Sequence, residues 1–374
     1  MRNPFVTSGY AGSAYFCDRE KETAALVSLL TNGNNVALIS QRRYGKTDLI
    51  RHCFAQPEIA ENYYTFVIDV YATDSLSDFV NCLGRAILDT LKPRGKKVLD
   101  GFVGLMKSVR TGITYDASGM PSWTMGLGDL ANPSVTLDEI FKYLQSAGRR
   151  CLVAIDEFQQ ITHYSDGTVE AMLRTLTQGC TNANFVFAGS RRTLMGAIFT
   201  SPARPFYQSV TIMNLERIPC AAYEVFCTRH FAAAGKTLAP GVVASLYEQV
   251  DGVTFYLQKV MNILFMRTRP GKVTEAMMRD AIDFDVDFAS ATYEDMMYQL
   301  PERQKKVLRA LALEGRCEGI LSGAFVKRYG LQSVSSVNSA IKGLQERNLL
   351  VVDCGTYSVY DKFLGFWLRK TTQV

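Results

Sequence analysis

Four short apolar runs govern what this chain can fold into: "NVALIS" (35–40), "YTFVIDVY" (64–71), "RRCLVAIDEF" (149–158) and "NFVFAGS" (184–190). Their apolar stretches show little of the polar alternation of a half-exposed strand, and each is short. That pattern predicts strands covered on both faces. Helical spacing lies between them, with Ala24, Leu26, Leu29 and Leu30 in residues 19–32, opened by Asp18 and Glu20. A second helix is expected from about Ser77 to Leu91. Strands alternating with helices predict an α/β fold with a parallel sheet. Ligands of such sheets bind beyond the carboxyl ends of the strands. The polar residues fall there: Gly45-Lys46-Thr47, Asp156-Glu157 and Ser190.

The bulk of the sequence narrows the class. A chain of 374 residues has room for two or three domains, each with its own core. Nine cysteines, an odd number without a CxxC pair, argue against a disulfide framework or a zinc site and suit a reducing compartment. The three histidines, His52, His163 and His230, stand far apart, so metal catalysis by imidazole has little support. The start lacks the basic and apolar regions of a signal peptide, and no apolar run approaches the roughly 20 residues of a membrane helix. The expected location is the cytoplasm, without a membrane partner. Net charge is +5, and residues 302–374 hold 12 Lys and Arg against 6 Asp and Glu. The basic surplus sits at the C-terminal end, a weak pointer to an anionic partner.

The first apolar run leads into "SQRRYGKTDLI" and then a helix. A phosphate-binding loop needs backbone N–H groups turned inward and backed by a helix N-terminus. The usual pattern is G-x-x-x-x-G-K-[ST], and Ser40 stands in place of its first glycine. Gln41, Arg42, Arg43, Tyr44 and Gly45, with Lys46, Thr47 and Asp48 opening the helix, are the expected phosphate cradle. Lys46 would neutralise the β- and γ-phosphates, and Thr47 would offer a hydroxyl to Mg²⁺. At the end of the third run Asp156 suits the Mg²⁺ shell, and Glu157 suits a base that orients an attacking water. Ser190 is placed to touch water or γ-phosphate. Arg191 and Arg192 are candidates for stabilising transition-state charge.

The rest of the chain changes character twice. Residues 108–129 read as a hairpin turning at "DASGMP", either a contact for a partner or a cover for the sheet edge. From 219 to 300 the alternation stops and four helices are expected: "AAYEVFCTRHFAAAG", "APGVVASLYEQVDG", "TFYLQKVMNILFMRT" and "TEAMMRDAIDFDVD". Residues 301–374 read as three helices and a strand–turn–strand around Cys354-Gly355, a winged helix-turn-helix. The expected domains are therefore a core at 1–218, a helical lid at 219–300 and a winged helix at 301–374. As a DNA reader the winged helix would present Ser333, Ser335, Ser336, Asn338 and Lys342 to the groove, with Lys327 and Arg328 on phosphate. The helix offered to the groove is rich in serine and has no arginine of its own before Arg347. The cluster of Phe363, Phe366, Trp367 and Leu368 favours a docking or core surface instead.

Together, "YFCDREKE" (15–22), "SQRRYGKTDLI", "CLVAIDEF", "FAGSRR" (187–192) and "RPFY" (204–207) resemble the archaeal and bacterial-type ATPases of the AAA+ superfamily. These are related to the Cdc6/origin-recognition-like and STAND ATPases. The resemblance spans nearly the whole chain. It implies Walker A roles for Lys46 and Thr47, Walker B roles for Asp156 and Glu157, and the sensor 1 position for Ser190. It places Phe16, Cys17, Asp18 and Arg19 near the adenine and offers Arg204 as an arginine finger acting in trans, with a structural arginine as the equal alternative. The family usually has Gly where Asp18 stands, and its lid motif is altered at Val253 and Phe255. No arginine occupies the lid sensor position, where Thr254, Phe255, Tyr256 and Gln258 stand.

The expected function is an ATP-binding switch that uses Mg²⁺, hydrolyses ATP to ADP slowly, and couples that to movement of the lid and winged helix. Two alternatives stay open: a regulator in which ATP gates DNA binding by the winged helix, and a nucleotide-binding protein with negligible turnover. Besides the nucleotide, the expected partners are a protein or a second copy of the chain, with DNA less favoured.

Overall fold

A computed structural model describes residues 2–109, 112–117, 119–124, 130–353 and 355–372. The chain divides into two compact units, Ser8–Ile218 and a second made of Met1–Thr7 with Pro219–Val374. No helix among the described residues is long and apolar enough to cross a membrane.

The first unit runs α1 (Glu20–Thr31), β1 (Val36–Ser40), α2 (Lys46–Phe54), α3 (Pro57–Ala60), β2 (Tyr63–Asp69), α4 (Leu76–Leu91) and α5 (Lys96–Leu105). The hairpin β3 (Ile113–Tyr115) and β4 (Pro121–Trp123) follows, then α6 (Pro133–Ser146), β5 (Arg150–Asp156), α7 (Val169–Gly179), β6 (Ala183–Gly189), α8 (Arg192–Thr200) and β7 (Thr211–Leu215). The main sheet has the order β2-β5-β6-β1-β7, and every pairing in it is parallel.

Each of the four apolar runs is a strand of this sheet, and β1 and β6 are buried along their whole length. Side chains alternate between faces with period two, so one strand feeds two cores. Ala37 and Ile39 join Phe66, Val153, Phe185 and the helices α4 to α8 on one face. Val36 and Leu38 join Leu152, Val186, and Leu26, Leu30, Leu49 and Ile50 of α1 and α2 on the other. The fifth strand, β7, was not legible from periodicity. It is an edge strand whose Thr211, Ile212 and Asn214 are exposed, so its sequence carries no buried pattern. Ala24 is likewise exposed rather than on the inner face of α1.

α4 begins at Leu76, one residue before the expected start. Ser75 caps it by accepting from Asp78 N, while Asp78 Oδ2 accepts from Ser75 Oγ and Asp74 N, a reciprocal cap. The described part of the hairpin packs onto this helix. Trp123 is buried, its Nε1 donates to Asn81 Oδ1 at 3.1 Å, and its indole lies across Gly84. The expected turn is present, with Asp116 N donating to Met120 O at 3.0 Å. Residues 110, 111, 118 and 125–129 of the hairpin region lie outside the described residues.

The second unit contains α9 (Cys220–Ala233), β8 (Lys236–Leu238), α10 (Val242–Gln249), α11 (Thr254–Arg267), β9 (Gly271–Val273), α12 (Glu275–Phe288) and α13 (Ser290–Tyr298). It continues with α14 (Glu302–Glu314), α15 (Gly323–Arg328), α16 (Val334–Glu346), β10 (Leu350–Asp353), β11 (Thr356–Val359) and α17 (Lys362–Thr372). The parallel pair β8–β9 and the helix α13 go beyond the four helices expected for 219–300. Phe5, in the N-terminal segment, is fully buried here against Phe226, Phe231 and Phe265. α17 packs on the preceding helices: Trp367 Nε1 donates to Ser290 Oγ at 2.9 Å, and Lys370 pairs with Asp287 at 2.6 Å.

A glycine in mid-helix normally gains about 0.5–1 kcal/mol on change to alanine. At Gly84 the new Cβ would come within 2.5 Å of the Trp123 ring. Gly84→Ala is therefore expected to destabilise by about 1–3 kcal/mol, and Trp123→Ala by about 3–5 kcal/mol. In thermal or urea unfolding, the double variant should cost less than the sum of the two single changes.

Candidate functional site

The carboxyl ends of β1, β2, β5 and β6 bring the site together. β1 ends at Ser40, fully buried and extended, with Oγ donating to Gln41 O at 2.9 Å. Its backbone is not in the left-handed region, so this position makes no demand for glycine. The demand falls later in the loop. Arg43 has φ 70° and Gly45 φ 86°, and this change of hand turns the backbone into the start of α2. Tyr44 is buried under the loop, and the Arg42 guanidinium lies 5.3 Å from the Tyr71 ring centre.

Lys46 is the first residue of α2, and its side chain is only 7% exposed. Its Nζ lies 3.7 Å from both Asp156 Oδ1 and Glu157 Oε1. Thr47 Oγ1 donates to Asp156 Oδ2, and Asp156 Oδ1 accepts from Glu157 N at 2.9 Å. Glu157 sits in the left-handed region at φ 54°, which turns the chain sharply after β5. Its Oε2 accepts from Ser190 Oγ at 2.7 Å and from Gln159 Nε2 at 2.5 Å. Lys46, Thr47, Asp156, Glu157 and Ser190, far apart in the chain, thus form one connected group.

Two further carboxylates belong to the surroundings. Asp69 ends β2 in register with Asp156. Asp69 is exposed as a residue, yet partial desolvation of its carboxyl raises its pKa; the Asp156 and Glu157 charges add to this, while the Tyr71 N–H and Lys46 offset it. Burial also raises Asp48, in the first turn of α2, against the opposing pull of Arg51. Asp69, Gln159 and Gly189 did not stand out in the sequence. Asp69 could have been found by applying the strand-end rule to "YTFVIDVY"; Gln159 and Gly189 depend on how neighbouring strands pack.

The N-terminal segment "FCDR" is built on two consecutive left-handed residues, Asp18 at φ 56° and Arg19 at φ 78°. Glycine adopts that backbone most readily, and aspartate tolerates it better than most residues. Arg19 is buried and bonds Glu22 Oε1 at 2.6 Å and the carbonyl of Glu216. Cys17 is buried, and Phe16 stacks on His52 of α2 with ring centres 4.2 Å apart. Tyr10 OH meets His52 Nδ1 at 2.8 Å, so an aromatic group stands beside the helix that carries Lys46.

Arg191 stands at the N-cap position of α8 without a side-chain capping bond, and is exposed. The side chain of Arg192 lies outside the described residues. Arg204 pairs with Glu170 of α7 at 2.5 Å and is not among the partners of the Lys46 group. Glu170 is nearly buried, and burial pushes its carboxyl up against the pull of Arg204.

In the second unit, Asp251, in the turn after α10, accepts Lys362 of α17 and pairs with Arg316 at 2.5 Å. Ser333 caps α16, accepting from Ser336 N, and Arg328 is engaged by Glu314 at 2.6 Å. Ser335, Asn338, Lys342 and Lys327 are exposed. Phe363, Trp367 and Leu368 are buried, whereas Phe366 is partly exposed.

The donor set fits a phosphate and its magnesium ion. Thr47 and Asp156 offer hard oxygens side by side, with an ammonium held next to them among carboxylates. A family model described as "probable winged helix domain" matches residues 291–370. No curated protein matches the chain in sequence. The Walker-type ATPase of Pyrococcus abyssi is similar in structure, with a TM-score of 0.64 at 17% identity, covering 98% of this chain and 99% of that one. The ORC2 protein of Aeropyrum pernix, in its ADPNP–ADP complexes, gives 0.59 at 13% identity over 100% and 99%. The ORC1 protein of the same organism, in complex with DNA, gives 0.52 at 14% identity over 96% and 93%. Likeness at these identities is a likeness of fold: a parallel α/β core of the P-loop type, followed by a helical region and a C-terminal winged helix.

Proposed function

We propose that the protein binds ATP at the carboxyl ends of β1, β5 and β6 and hydrolyses it with Mg²⁺. The observation that carries this reading is the buried Lys46 ammonium set between Asp156 and Glu157, with the Thr47 hydroxyl on Asp156. Lys46 and the loop from Gln41 to Gly45 would hold the phosphates, with Asp48 in the first turn behind them. Phe16, Asp18 and Arg19 would line the adenine side. Thr47 and Asp156 would hold Mg²⁺, which supplies charge neutralisation on the phosphate oxygens. Glu157 would orient a water and take its proton as the water oxygen bonds to the γ-phosphorus and the bond to the β–γ bridging oxygen breaks. Ser190 would address the γ-phosphate. Arg192 and Arg204 are the candidates for stabilising charge in the transition state; Arg204 would have to exchange Glu170 for phosphate to do so. The ADPNP–ADP complexes of the similar Aeropyrum protein support the ligand class.

Within the second unit we assign 219–300 to a lid and 301–374 to the winged helix. Asp251, held by both Lys362 and Arg316, joins the two, so they would respond to nucleotide as one body. A second reading, DNA binding by the winged helix, draws support from the exposed Asn338, Lys342 and Lys327 and from the likeness to a protein whose structure is in complex with DNA.

Lys46→Ala should abolish nucleotide binding in calorimetry. Glu157→Gln should keep binding and lower the hydrolysis rate by about 10²–10⁴-fold, measured as phosphate release. Full turnover in Glu157→Gln would remove Glu157 from the base role. Arg204→Ala should lower the Tm of the nucleotide-free protein, because it strands Glu170, and adding Glu170→Gln should recover the Tm. A finger role requires that the double variant still hydrolyse slowly. If the winged helix binds DNA, fluorescence anisotropy will show log Kd rising with log salt, with the slope reduced by about one in Lys327→Ala. Binding that is absent at low salt or indifferent to salt would rule it out.

A further inference from the structure

The Gln159 amide has no task in binding phosphate, yet it is built into the site. It lies in the 3-10 turn Phe158–His163 after β5 and is 5% exposed. Its Nε2 donates to Glu157 Oε2, the same oxygen that accepts from Ser190. Its Oε1 is buried and finds no hydrogen-bond partner among the described residues. Leaving a buried carbonyl unsatisfied weakens a fold, and a leucine of similar size would fill the same space without that cost. Stability therefore does not account for the amide; its donor end does.

The neighbouring strand has made room for it. Gly189 is the last residue of β6, and a Cβ there would come within 2.5 Å of Gln159 Oε1 and overlap the Met195 thioether. The amide occupies the space that a side chain at 189 would take. The groups around Glu157 differ in what phosphate does to them. Lys46, near Oε1, and Ser190, on Oε2, are the groups that the ATPase reading directs to phosphate; Gln159 is not.

We propose that Gln159 is a positioning residue. It keeps Glu157 Oε2 in place once Lys46 and Ser190 turn to the nucleotide, so that Oε1 is left to take the proton of the attacking water. Gly189 keeps the amide where it must be. This inference rests on the ATPase reading.

The test uses the full chain with Gln159→Leu and, separately, Gly189→Ala. With Mg-ATP, Gln159→Leu should lower kcat by about 10–100-fold, as loss of an orienting partner does elsewhere, while KM and the calorimetric Kd for ATP stay within about twofold. The Tm of the nucleotide-free variant should equal or exceed that of wild type, the opposite of what a structural role predicts. Gly189→Ala should reproduce the kcat loss, and the double variant should be no slower than the worse single one. An unchanged kcat in Gln159→Leu, or a lowered Tm with kcat and KM both altered, overturns the inference while leaving the ATPase reading intact. A wild type that binds ATP without hydrolysing it overturns both.

Discussion

The first unit is organised around a buried ammonium held among carboxylates. Lys46 reaches Asp156 and Glu157 because the loop of residues 41–45 turns the end of β1 into α2, while β5 ends two strands away with β6 between them. A charge this deep is tolerated only with partners of opposite sign, and removing one partner would strand the rest. The arrangement thus ties three strand ends and one helix N-terminus to a single geometry. Asp69, in register with Asp156 on β2, extends the acidic side of the group to the far edge strand.

Around that group, packing is dictated by small residues and unusual backbone. Gly45 supplies the left-handed turn before Lys46, and Gly189 leaves room for Gln159. Gly84 admits the Trp123 indole and so fastens the hairpin to α4. In the second unit an analogous junction is ionic. Asp251 holds Lys362 and Arg316, joining residues far apart in sequence by charge, beside the buried ring contact of Tyr256 with Phe363.

Much of the fold could be read because its strands are buried on both faces. Continuous apolar runs marked β1, β2, β5 and β6, and the polar residues ending them included Lys46, Thr47, Asp156, Glu157 and Ser190, which the structure gathers. β7 and the pair β8–β9 escaped, since a short or edge strand has no full apolar face to show, and α13 escaped because its residues are mostly exposed. Ser40 looked like a defect in the loop and is none: its position is extended, and the left-handed backbone lies at Arg43 and Gly45. Arg204 carried a similar ambiguity, and its pairing with Glu170 is a fact of packing that no local motif announces.

By itself, the sequence determined the alternation of strand and helix, the parallel sheet, and which polar residues stand at strand ends. These follow from period and hydrophobicity, which are local properties. Only the tertiary structure decided that Gln159 and Gly189 join the site, that Arg204 faces Glu170, and that Asp251 links the winged helix to the helices before it. Those relations depend on strand order, register and side-chain packing between residues far apart in the chain, where no local pattern records them.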